Sequence, residues 1–445
     1  MKKSLVTLIA IVIVSMANAQ GILDPEADHV LNRFLNYVKI ESQSIDDPDP
    51  ESIPMTEGQI EMANLIFNEL KTMDKDNILD IKMSPNYYVY VKVPSNMKKE
   101  VPSVMFMAHM DVTPEANATG IRPQVHYNYD GNDIALGNGL VLSPNNPEGS
   151  HLKDVVGKTI VTTDGNTLLG GDCKAGCTIL VTLIEQMIND PSFKHGDVYI
   201  MFTQNEEVDK DVVGMDLSYF DRTPDMMMDV DGSYTYQFSV ANFTAEGRTY
   251  LFKGNQVHPA RGKILKYADA RTAMAYFIGQ LPPEIHPSYS EGNQGYVHCY
   301  KMEMLPNGHD VRIRIRLRYF DKADGVRFKA DLDEAYRKTL QAYPNVKIEL
   351  ENEDIQYENV AYTMHPQVVS VIQRAAEKSG IKMKGFELRA GTTGATMVTK
   401  GLPGGPCIYG AQQASHSVYE WCCLEEIMEI TLLTHNIVAE VSKLE

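Results

Sequence analysis

Short apolar runs that alternate with helical periodicity constrain the fold of this chain more than any other feature. Three runs are rich in β-branched and aromatic residues, as buried strands are: Tyr88–Val93, Ser103–Ala108 and Val198–Thr203. Residues 174–189 have the length and spacing of a long helix, and two amphipathic helices are predicted earlier, around residues 25–40 and 58–72. This alternation predicts a layered α/β domain with a mixed, largely parallel sheet between helices.

The pattern changes after about residue 240. The order that follows is that of a split βαβ repeat: strand 244–253, helix 262–279, strands 296–304 and 310–319, helix 323–342 and strand 345–351. From about residue 360 the α/β character returns, with helices near 365–379 and 424–443 around a strand at 406–410. We therefore predict a smaller α+β domain, residues 243–355, inserted into a discontinuous larger domain, residues 20–242 and 356–445.

Residues 1–19 have the organisation of a secretory signal peptide. Lys2 and Lys3 precede an apolar run, Leu5 to Val14, and Ala17-Asn18-Ala19 supplies a cleavage site of small residues. The apolar run is well short of the ~20 residues that cross a bilayer, which argues against a membrane anchor. The sequence therefore predicts export to a periplasm or secretion, with no membrane association after cleavage.

The charge balance bears on partners. The chain has 41 basic and 59 acidic residues and a formal net charge of −18, so it repels phosphate backbones and we expect no nucleic acid partner. Its six cysteines form no C-x-x-C pair, which argues against a structural zinc knuckle. The sequence leaves a homodimer open.

Five short polar signals follow predicted strands or lie in loops of the larger domain: His109-Met110-Asp111, Gly170-Gly171-Asp172-Cys173-Lys174-Ala175-Gly176, Glu206-Glu207, Asp229-Val230-Asp231-Gly232 and Ser415-His416-Ser417-Val418-Tyr419-Glu420. Each alone has an ordinary explanation, such as a chance H-x-D, a capped glycine turn, a solvated glutamate pair, an Asp-Gly turn or a structural histidine. Two adjacent carboxylates at the end of a buried strand, however, need a compensating cation if they are buried.

Spacing gives two of these signals a specific chemistry. Side chains at i and i+2 leave a strand on the same face, so Asp111 can accept a hydrogen bond from the distal imidazole nitrogen of a metal-binding His109. The glycines before Asp172 allow a close backbone approach, and one carboxylate there could bridge two cations.

Taken together, the ordered array H-x-D, D-x-K-x-G, E-E, D-G and H-x-x-x-E resembles the zinc exopeptidase family that contains aminoacylase, glutamate carboxypeptidase and a bacterial tripeptidase. The likeness to the tripeptidase branch covers nearly the whole mature chain. Further motifs carry it: 33–38 (RFLNYV), 56–59 (TEGQ), 131–137 (GNDIALG), 161–165 (VTTDG), 167–170 (TLLG), 257–259 (VHP), 291–296 (EGNQGY), 318–321 (RYFD) and 389–392 (RAGT).

The resemblance implies a ligand set for two zinc ions. His109 and Asp231 would hold one ion, Glu207 and His416 would hold the other, and Asp172 would bridge them. It also implies two supporting roles. Asp111 would orient the histidine, and Glu206 would act as general base, taking a proton from the metal-bridging water and delivering it to the leaving amine.

The implied activity is zinc-dependent release of the N-terminal residue from tripeptides or short peptides by attack of a metal-bridging hydroxide. A carboxypeptidase and an N-acyl amino acid deacylase remain alternatives, because the same metal ligands serve them. A non-catalytic peptide-binding protein is the alternative from another class.

The resemblance also implies that residues 20–242 and 356–445 form the catalytic dizinc domain and that the smaller domain, residues 243–355, is a lid that supplies substrate contacts. His258 would reach the scissile carbonyl in an oxyanion-type role, and Arg318 would pair with the terminal carboxylate of the peptide. Asn255 would add a hydrogen bond, and Arg389, in the larger domain, is a second candidate anion contact. A basic lid surface is the alternative for the arginines, because the alternating Arg312, Arg314, Arg316 and Arg318 share one face of a strand.

Four positions depart from the tripeptidase pattern. Cys173 stands where an acidic residue is usual, Asp209 where a glycine is, Thr393 where an aspartate is and Tyr419 where a second histidine is. None of them removes an implied ligand or the base, so they bear on substrate range.

Overall fold

The computed structural model describes residues 23–45, 49, 52–53 and 55–444, so the predicted signal peptide lies outside the described residues. The chain falls into two units. Unit 1 consists of Met1–Ser239, Met364–Phe386 and Gly405–Glu445, and unit 2 consists of Val240–Thr363 and Glu387–Gly404. Within the described ranges, no helix combines the length and apolar character needed to cross a membrane.

The secondary structure elements are as follows. The helices are α1 (Pro25–Val38), α2 (Glu57–Met73), α3 (Gly171–Asn189), α4 (Ala270–Ile278), α5 (Lys322–Ala342), α6 (Val368–Ser379), α7 (Thr393–Val398) and α8 (Leu424–Val441). The strands are β1 (Asp80–Met83), β2 (Val89–Val93), β3 (Val104–His109), β4 (Gln124–His126), β5 (Ile134–Ala135), β6 (Val141–Leu142), β7 (Ile160–Thr162), β8 (Val198–Thr203), β9 (Met226–Gly232), β10 (Gln237–Asn242), β11 (Thr244–Lys253), β12 (Tyr296–Met304), β13 (Val311–Tyr319), β14 (Lys347–Tyr357), β15 (Lys384–Leu388), β16 (Cys407–Tyr409), β17 (Gln412–Gln413) and β18 (Trp421–Cys423).

The main sheet of unit 1 has the strand order β1-β2-β8-β3-β9-β16-β10-β15. Its central pairs β8–β3, β3–β9 and β9–β16 are parallel, whereas β1–β2, β2–β8 and β16–β10 are antiparallel. The residues of β3 and β8 are buried throughout, as expected for strands covered by helices on both faces. The predicted α/β fold with a mixed sheet is confirmed, but the sheet is parallel only at its centre, with as many antiparallel as parallel pairs among these.

A second, smaller sheet of unit 1 has the order β17-β18-β7-β4. Strands β17 and β18 form a hairpin in which Gln412 pairs with Cys422, and Trp421 of β18 pairs with Thr162 of β7. The loop of this hairpin carries His416. The sequence did not predict this sheet, because strands of two or three residues are too short to show a period.

Unit 2 has one sheet, with the order β12-β13-β11-β14, all of whose neighbours are antiparallel. Ile313, Ile315 and Leu317 of β13 pack with Phe277 of α4 and Phe328 of α5 in a buried core. The intervening arginines lie on the other face, since successive side chains of a strand alternate. The predicted order of strands and helices in this region matches the observed one.

The observed boundaries differ from the predicted ones. Residues 240–242 and 356–363 fall in unit 2, although they were predicted to belong to the larger domain. Residues 387–404 fall in unit 2, whereas the predicted catalytic segment 356–445 included them. Helix 262–279 is wrong at its N-terminal half, since α4 is only Ala270–Ile278. Lys266 has a left-handed φ of 51°, which interrupts a helix, and Asp269 caps the helix that follows. Ile264, an apolar residue in the failed half of the predicted helix, is 75% exposed.

Candidate metal centre

Three parallel neighbouring strands bring the first group of site residues to one edge of the main sheet. Strand β3 ends at His109, which pairs with Thr203 at the end of β8, and Asp231 lies near the end of β9. A short 3-10 turn, Glu206–Val208, follows β8 and carries the glutamate pair. The carboxyl ends of parallel strands are where α/β sheets place their sites.

His109 lies at the centre of a group of carboxylates. Its Nε2 is 3.1 Å from Oδ1 of Asp172, 3.5 Å from Oδ1 of Asp231 and 3.8 Å from Oε2 of Glu206. The side chain of His109 is only 2% exposed, so these charges interact with little screening by solvent.

Asp172 faces two histidines with its two oxygens. Oδ1 lies 3.1 Å from Nε2 of His109, and Oδ2 lies 3.7 Å from Nε2 of His416. Nε2 of His416 in turn lies 2.8 Å from Oε2 of Glu207, whose side chain is 3% exposed. Asp172 sits at the start of α3, where its backbone is non-helical and follows Gly170, whose φ is 81°. This local geometry turns the carboxylate of Asp172 between the two imidazoles.

The pKa values of these groups show how crowded the charges are. Burial and the nearby carboxylate of Asp172 raise the pKa of Glu207 to about 7 despite its bond to His416. Burial, together with Asp231 and Glu207, raises the pKa of Glu206 well above its usual range. The neighbouring His109 lowers the pKa of Asp231 to about 2, and the bond to Glu207 raises the pKa of His416 to about 10. Carboxylates that repel each other in an enclosed space are stabilised by cations.

The donor set fits a metal centre. Ligand atoms of His109, Asp172 and Glu207 lie within 4.8 Å of one another, and so do those of His109, Cys173 and Asp231. Oε1 of Glu207 is buried without a hydrogen-bond partner in the described part of the chain. Imidazole and carboxylate groups are the ligands that catalytic zinc uses. A metal ion would neutralise the carboxylates and take up this unpaired oxygen.

Asp111 does more than the sequence predicted. Nδ1 of His109 lies 3.1 Å from the backbone carbonyl oxygen of Asp111 and 3.5 Å from its Oδ1, so the carbonyl is the nearer acceptor. The carboxylate of Asp111 also accepts hydrogen bonds of 3.2 Å from the backbone N–H groups of Glu206 and Glu207, and one from the hydroxyl of Ser44. Asp111 therefore holds the glutamate turn as well as the histidine.

Three residues that sequence reasoning left without a role contact the site. Gln412 donates from Nε2 to Oδ1 and to the carbonyl oxygen of Asp231, both at 2.9 Å. Oε2 of Glu115 lies 3.0 Å from Nδ1 of His416. Glu420 is 1% exposed and accepts hydrogen bonds from the backbone of residues 169–172. The sequence feature that could have indicated a role for Glu420 was its position four residues after His416, in the motif H-x-x-x-E.

The four candidate substrate contacts all belong to unit 2. Arg318 is 9% exposed and donates to Oε1 of Gln356, at 3.0 Å, and to backbone carbonyls. Arg389 donates to backbone carbonyls of Gly292 and Gln294 and to the hydroxyl of Ser290.

Asn255 and His258 lie in the segment that follows β11. The side chain of Asn255 accepts a hydrogen bond from Ala268 N–H at 2.9 Å and donates to the carbonyl of Lys266 at 3.1 Å, so it fixes a turn. His258 is exposed, and its Nδ1 accepts a hydrogen bond from the N–H of Ala260 at the start of a 3-10 turn.

The four residues that depart from the tripeptidase pattern lie in different surroundings. Cys173 is buried, and its thiol donates to the carbonyl of Val230 at 3.1 Å. Asp209 has a left-handed φ of 56° and ends the glutamate turn, where its N–H donates to the carbonyl of Glu206. Thr393 begins α7 in unit 2. Tyr419 is partly buried and packs against a core cluster that includes Trp421.

Comparison with known proteins gives consistent results. The model of Peptidase family M20/M25/M40 matches residues 162–440. A protein named Peptidase T from Listeria monocytogenes serotype 4b is 33% identical over 424 residues, which are 94% of this chain and 98% of that protein.

Solved structures share the fold. The aminopeptidase PepT of Bacillus cereus has a TM-score of 0.68 at 17% identity, covering 94% of this chain and 99% of that one. A tripeptidase of Staphylococcus aureus has a TM-score of 0.66 at 16% identity, with coverages of 94% and 99%. A dinuclear metal binding peptidase of Bacillus subtilis has a TM-score of 0.60 at 11% identity, with the same coverages.

The fold and the site together define a metal-binding hydrolase. The chain belongs to peptidase family M20/M25/M40, and its similarity to Peptidase T extends over nearly its whole length. The family resemblance seen in the sequence motifs is thereby confirmed.

Proposed function

We propose that this protein is an aminopeptidase that releases the N-terminal residue from tripeptides and other short peptides with the help of two zinc ions. The observation that carries the proposal is the position of Asp172, whose two carboxylate oxygens face His109 and His416 separately. Similarity to Peptidase T over 94% of the chain supports the substrate class, as do fold relatives described as an aminopeptidase and a tripeptidase.

The ligands divide between two metal positions. His109 and Asp231 would hold one ion and Glu207 and His416 would hold the other, and the distances of 3.5 Å and 2.8 Å within these pairs support this division. Asp172 is shared between them. When bound, the two ions polarise the scissile carbonyl and make water acidic enough to react near neutral pH.

The remaining chemistry falls to side chains of the protein. Glu206 takes a proton from the attacking water and delivers it to the amine that leaves. Its carboxylate is 24% exposed and lies 3.8 Å from Nε2 of His109, so it borders the metal positions and remains open to water. The carboxylate of Asp111 keeps Glu206 and Glu207 in place through their backbone N–H groups.

The candidate contacts of unit 2 supply recognition in this proposal. His258 stabilises the developing negative charge on the carbonyl oxygen, and Arg318 pairs with the terminal carboxylate of the peptide. Asn255 adds a hydrogen bond. Arg389, which is tied to the 290–294 loop, supports recognition by holding that loop in shape.

Export completes the proposal. The basic residues, apolar run and small-residue site of residues 1–19 support secretion or a periplasmic location of the mature enzyme.

The decisive test combines metal analysis with a substrate panel of free tripeptides, N-blocked tripeptides and acyl amino acids. The proposal predicts about two zinc ions per chain, turnover of free tripeptides that chelation abolishes, and no turnover after N-blocking. Cleavage of N-blocked peptides or acyl amino acids would instead indicate a carboxypeptidase or a deacylase. Tight peptide binding without turnover in the zinc-loaded protein would indicate a binding protein.

A further inference from the structure

The β17–β18 hairpin carries one proposed metal ligand and contacts two others, or the backbone beside them, through side chains that are not ligands. Its loop carries His416. Gln412, in β17, is fully buried and donates from Nε2 to Oδ1 of Asp231 at 2.9 Å. Glu420 directly precedes β18. One short hairpin thus reaches Asp231, His416 and the loop that bears Asp172.

Glu420 is the most unusual of these residues because it is a charged side chain that is only 1% exposed. Its Oε2 accepts hydrogen bonds from the backbone N–H groups of Leu169, at 2.9 Å, and Gly170, at 2.7 Å. Its Oε1 accepts one from the N–H of Asp172, at 2.9 Å. The carboxylate therefore holds three of the four backbone N–H groups of residues 169–172, the loop that ends at the shared ligand.

The loop is shaped to receive this carboxylate. Gly170 has a left-handed φ of 81°, which turns successive N–H groups toward one point. A Cβ atom on Gly171 would lie 2.5 Å from Sγ of Cys422, so a larger residue there would displace the loop from β18, whereas Oε1 of Glu420, at 3.4 Å, is in ordinary contact.

We propose that Glu420 is the positioning residue of the metal centre: it fixes the backbone of residues 169–172 so that Asp172 faces both metal positions, and Gln412 acts in the same way on Asp231. This inference rests on the proposed function. Because the hairpin also supplies His416, a displacement of the hairpin alters the ligands of both metals at once. Hydrogen-bonded partners behind metal ligands commonly influence metal affinity by 10–100-fold.

Glu420→Gln is the direct test, because it keeps the size of the side chain but replaces one acceptor oxygen with an N–H2 group. At least one backbone N–H of the loop then faces a donor. Glu425→Gln is the matched control: Glu425 also uses its carboxylate to hold a backbone N–H, that of Thr159 at 2.9 Å, but it is not bonded to the metal loop.

Purified variants are stripped of metal and titrated with Co²⁺, whose visible absorption reports the ligand geometry. Glu420→Gln is expected to bind Co²⁺ at least about tenfold more weakly than the wild type and to give an altered spectrum, whereas Glu425→Gln matches the wild type. Thermal melting of the metal-free proteins shows whether a variant binds Co²⁺ weakly because the ligands are misplaced or because the whole fold is destabilised. An unchanged affinity and spectrum in a folded Glu420→Gln variant would overturn the inference, and so would an equal loss in both variants.

Gln412→Met keeps the test decisive if Glu420→Gln does not fold, because it removes only the N–H donors to Asp231. Weaker Co²⁺ binding in Gln412→Met supports the hairpin's role, and wild-type binding overturns it. Wild-type protein that neither binds Co²⁺ nor cleaves tripeptides would contradict the proposed function itself. A normal wild type with unaffected variants would contradict only this inference.

Discussion

The carboxylate of Asp111 accepts a hydrogen bond from the backbone N–H of Glu206, at 3.2 Å, so the residue expected to orient a ligand histidine also fixes the proposed general base. The same carboxylate accepts the N–H of Glu207 and the hydroxyl of Ser44. Both glutamates of the turn are therefore held by one buried carboxylate, while the backbone carbonyl of the same residue is the nearer acceptor for His109.

Asp111→Asn should lower turnover and metal affinity together, by about 10–100-fold, because its N–H2 group would face at least one N–H or O–H donor. Ser44→Ala, which removes a single donor, serves as control and should lower turnover and metal affinity only a few-fold. Metal titration and tripeptide kinetics of both variants check this. Wild-type kinetics in folded Asp111→Asn would show that the turn is held by other contacts.

Arg318→Ala should raise the KM for free tripeptides far more than for C-terminally amidated ones, since a charge-assisted pair to the carboxylate is lost. Arg316→Ala is the matched control, because Arg316 lies on the same face of β13 but stacks its guanidinium 4.0 Å from the ring centre of Tyr300. Equal effects of Arg318→Ala on both substrates would mean that this arginine only supports the sheet through Gln356.

Glu440 of α8 links that helix to α6. It accepts hydrogen bonds from Arg374, at 2.8 Å, and from Lys378, and although burial opposes it, these partners lower its pKa to about 2. A lowered pKa in the folded state stabilises the fold above the unfolded pKa, about 4.5 for Glu, and this contribution is lost as the pH falls toward 2.

Glu440→Gln should therefore lower the free energy of unfolding at pH 7 by about 1–2 kcal/mol, with a smaller difference from the wild type at pH 3. Glu334→Gln, which breaks an exposed pair with Arg337 on α5, should change the free energy of unfolding much less than Glu440→Gln does, because solvent screens the pair. Urea unfolding at the two pH values measures both. A difference for Glu440→Gln that grows on acidification would refute the linkage.

The mature protein should begin at Gln20, because Ala17-Asn18-Ala19 satisfies the small-residue rule for signal cleavage. N-terminal sequencing of the protein from its native host tests this expectation. Recovery of an intact Met1 from the host's soluble fraction would disprove export by this signal.

Much of unit 1 could be predicted because its strands and helices are long enough to show their periods. The predicted strand Val198–Thr203 has the observed bounds, and the helix predicted at residues 25–40 is observed as Pro25–Val38. His109 and Glu207 became candidate ligands because the ordered array of polar motifs resembles that of a known family, and the structure places both near the carboxyl end of the sheet.

What the sequence did not predict depends on contacts between distant segments. Glu420 binds a loop about 250 residues earlier in the chain, and no spacing rule links the two. The hairpin that carries it has strands of two and three residues. Residues 262–269, predicted to be the first half of helix 262–279, are not helical. Ile264 in this segment is exposed, so tertiary packing does not stabilise a helix there.

The most direct test of the account compares metal content and turnover in two single variants. Glu206→Gln keeps size and hydrogen-bonding capacity but cannot accept a proton, so it should bind zinc like the wild type while kcat falls by about 100- to 10,000-fold. Asp172→Ala removes the shared ligand, so its zinc content itself should fall, and added zinc should restore little activity. If Glu206→Gln loses zinc as severely as Asp172→Ala, or keeps full turnover, the proposed division between a base and the metal ligands is contradicted.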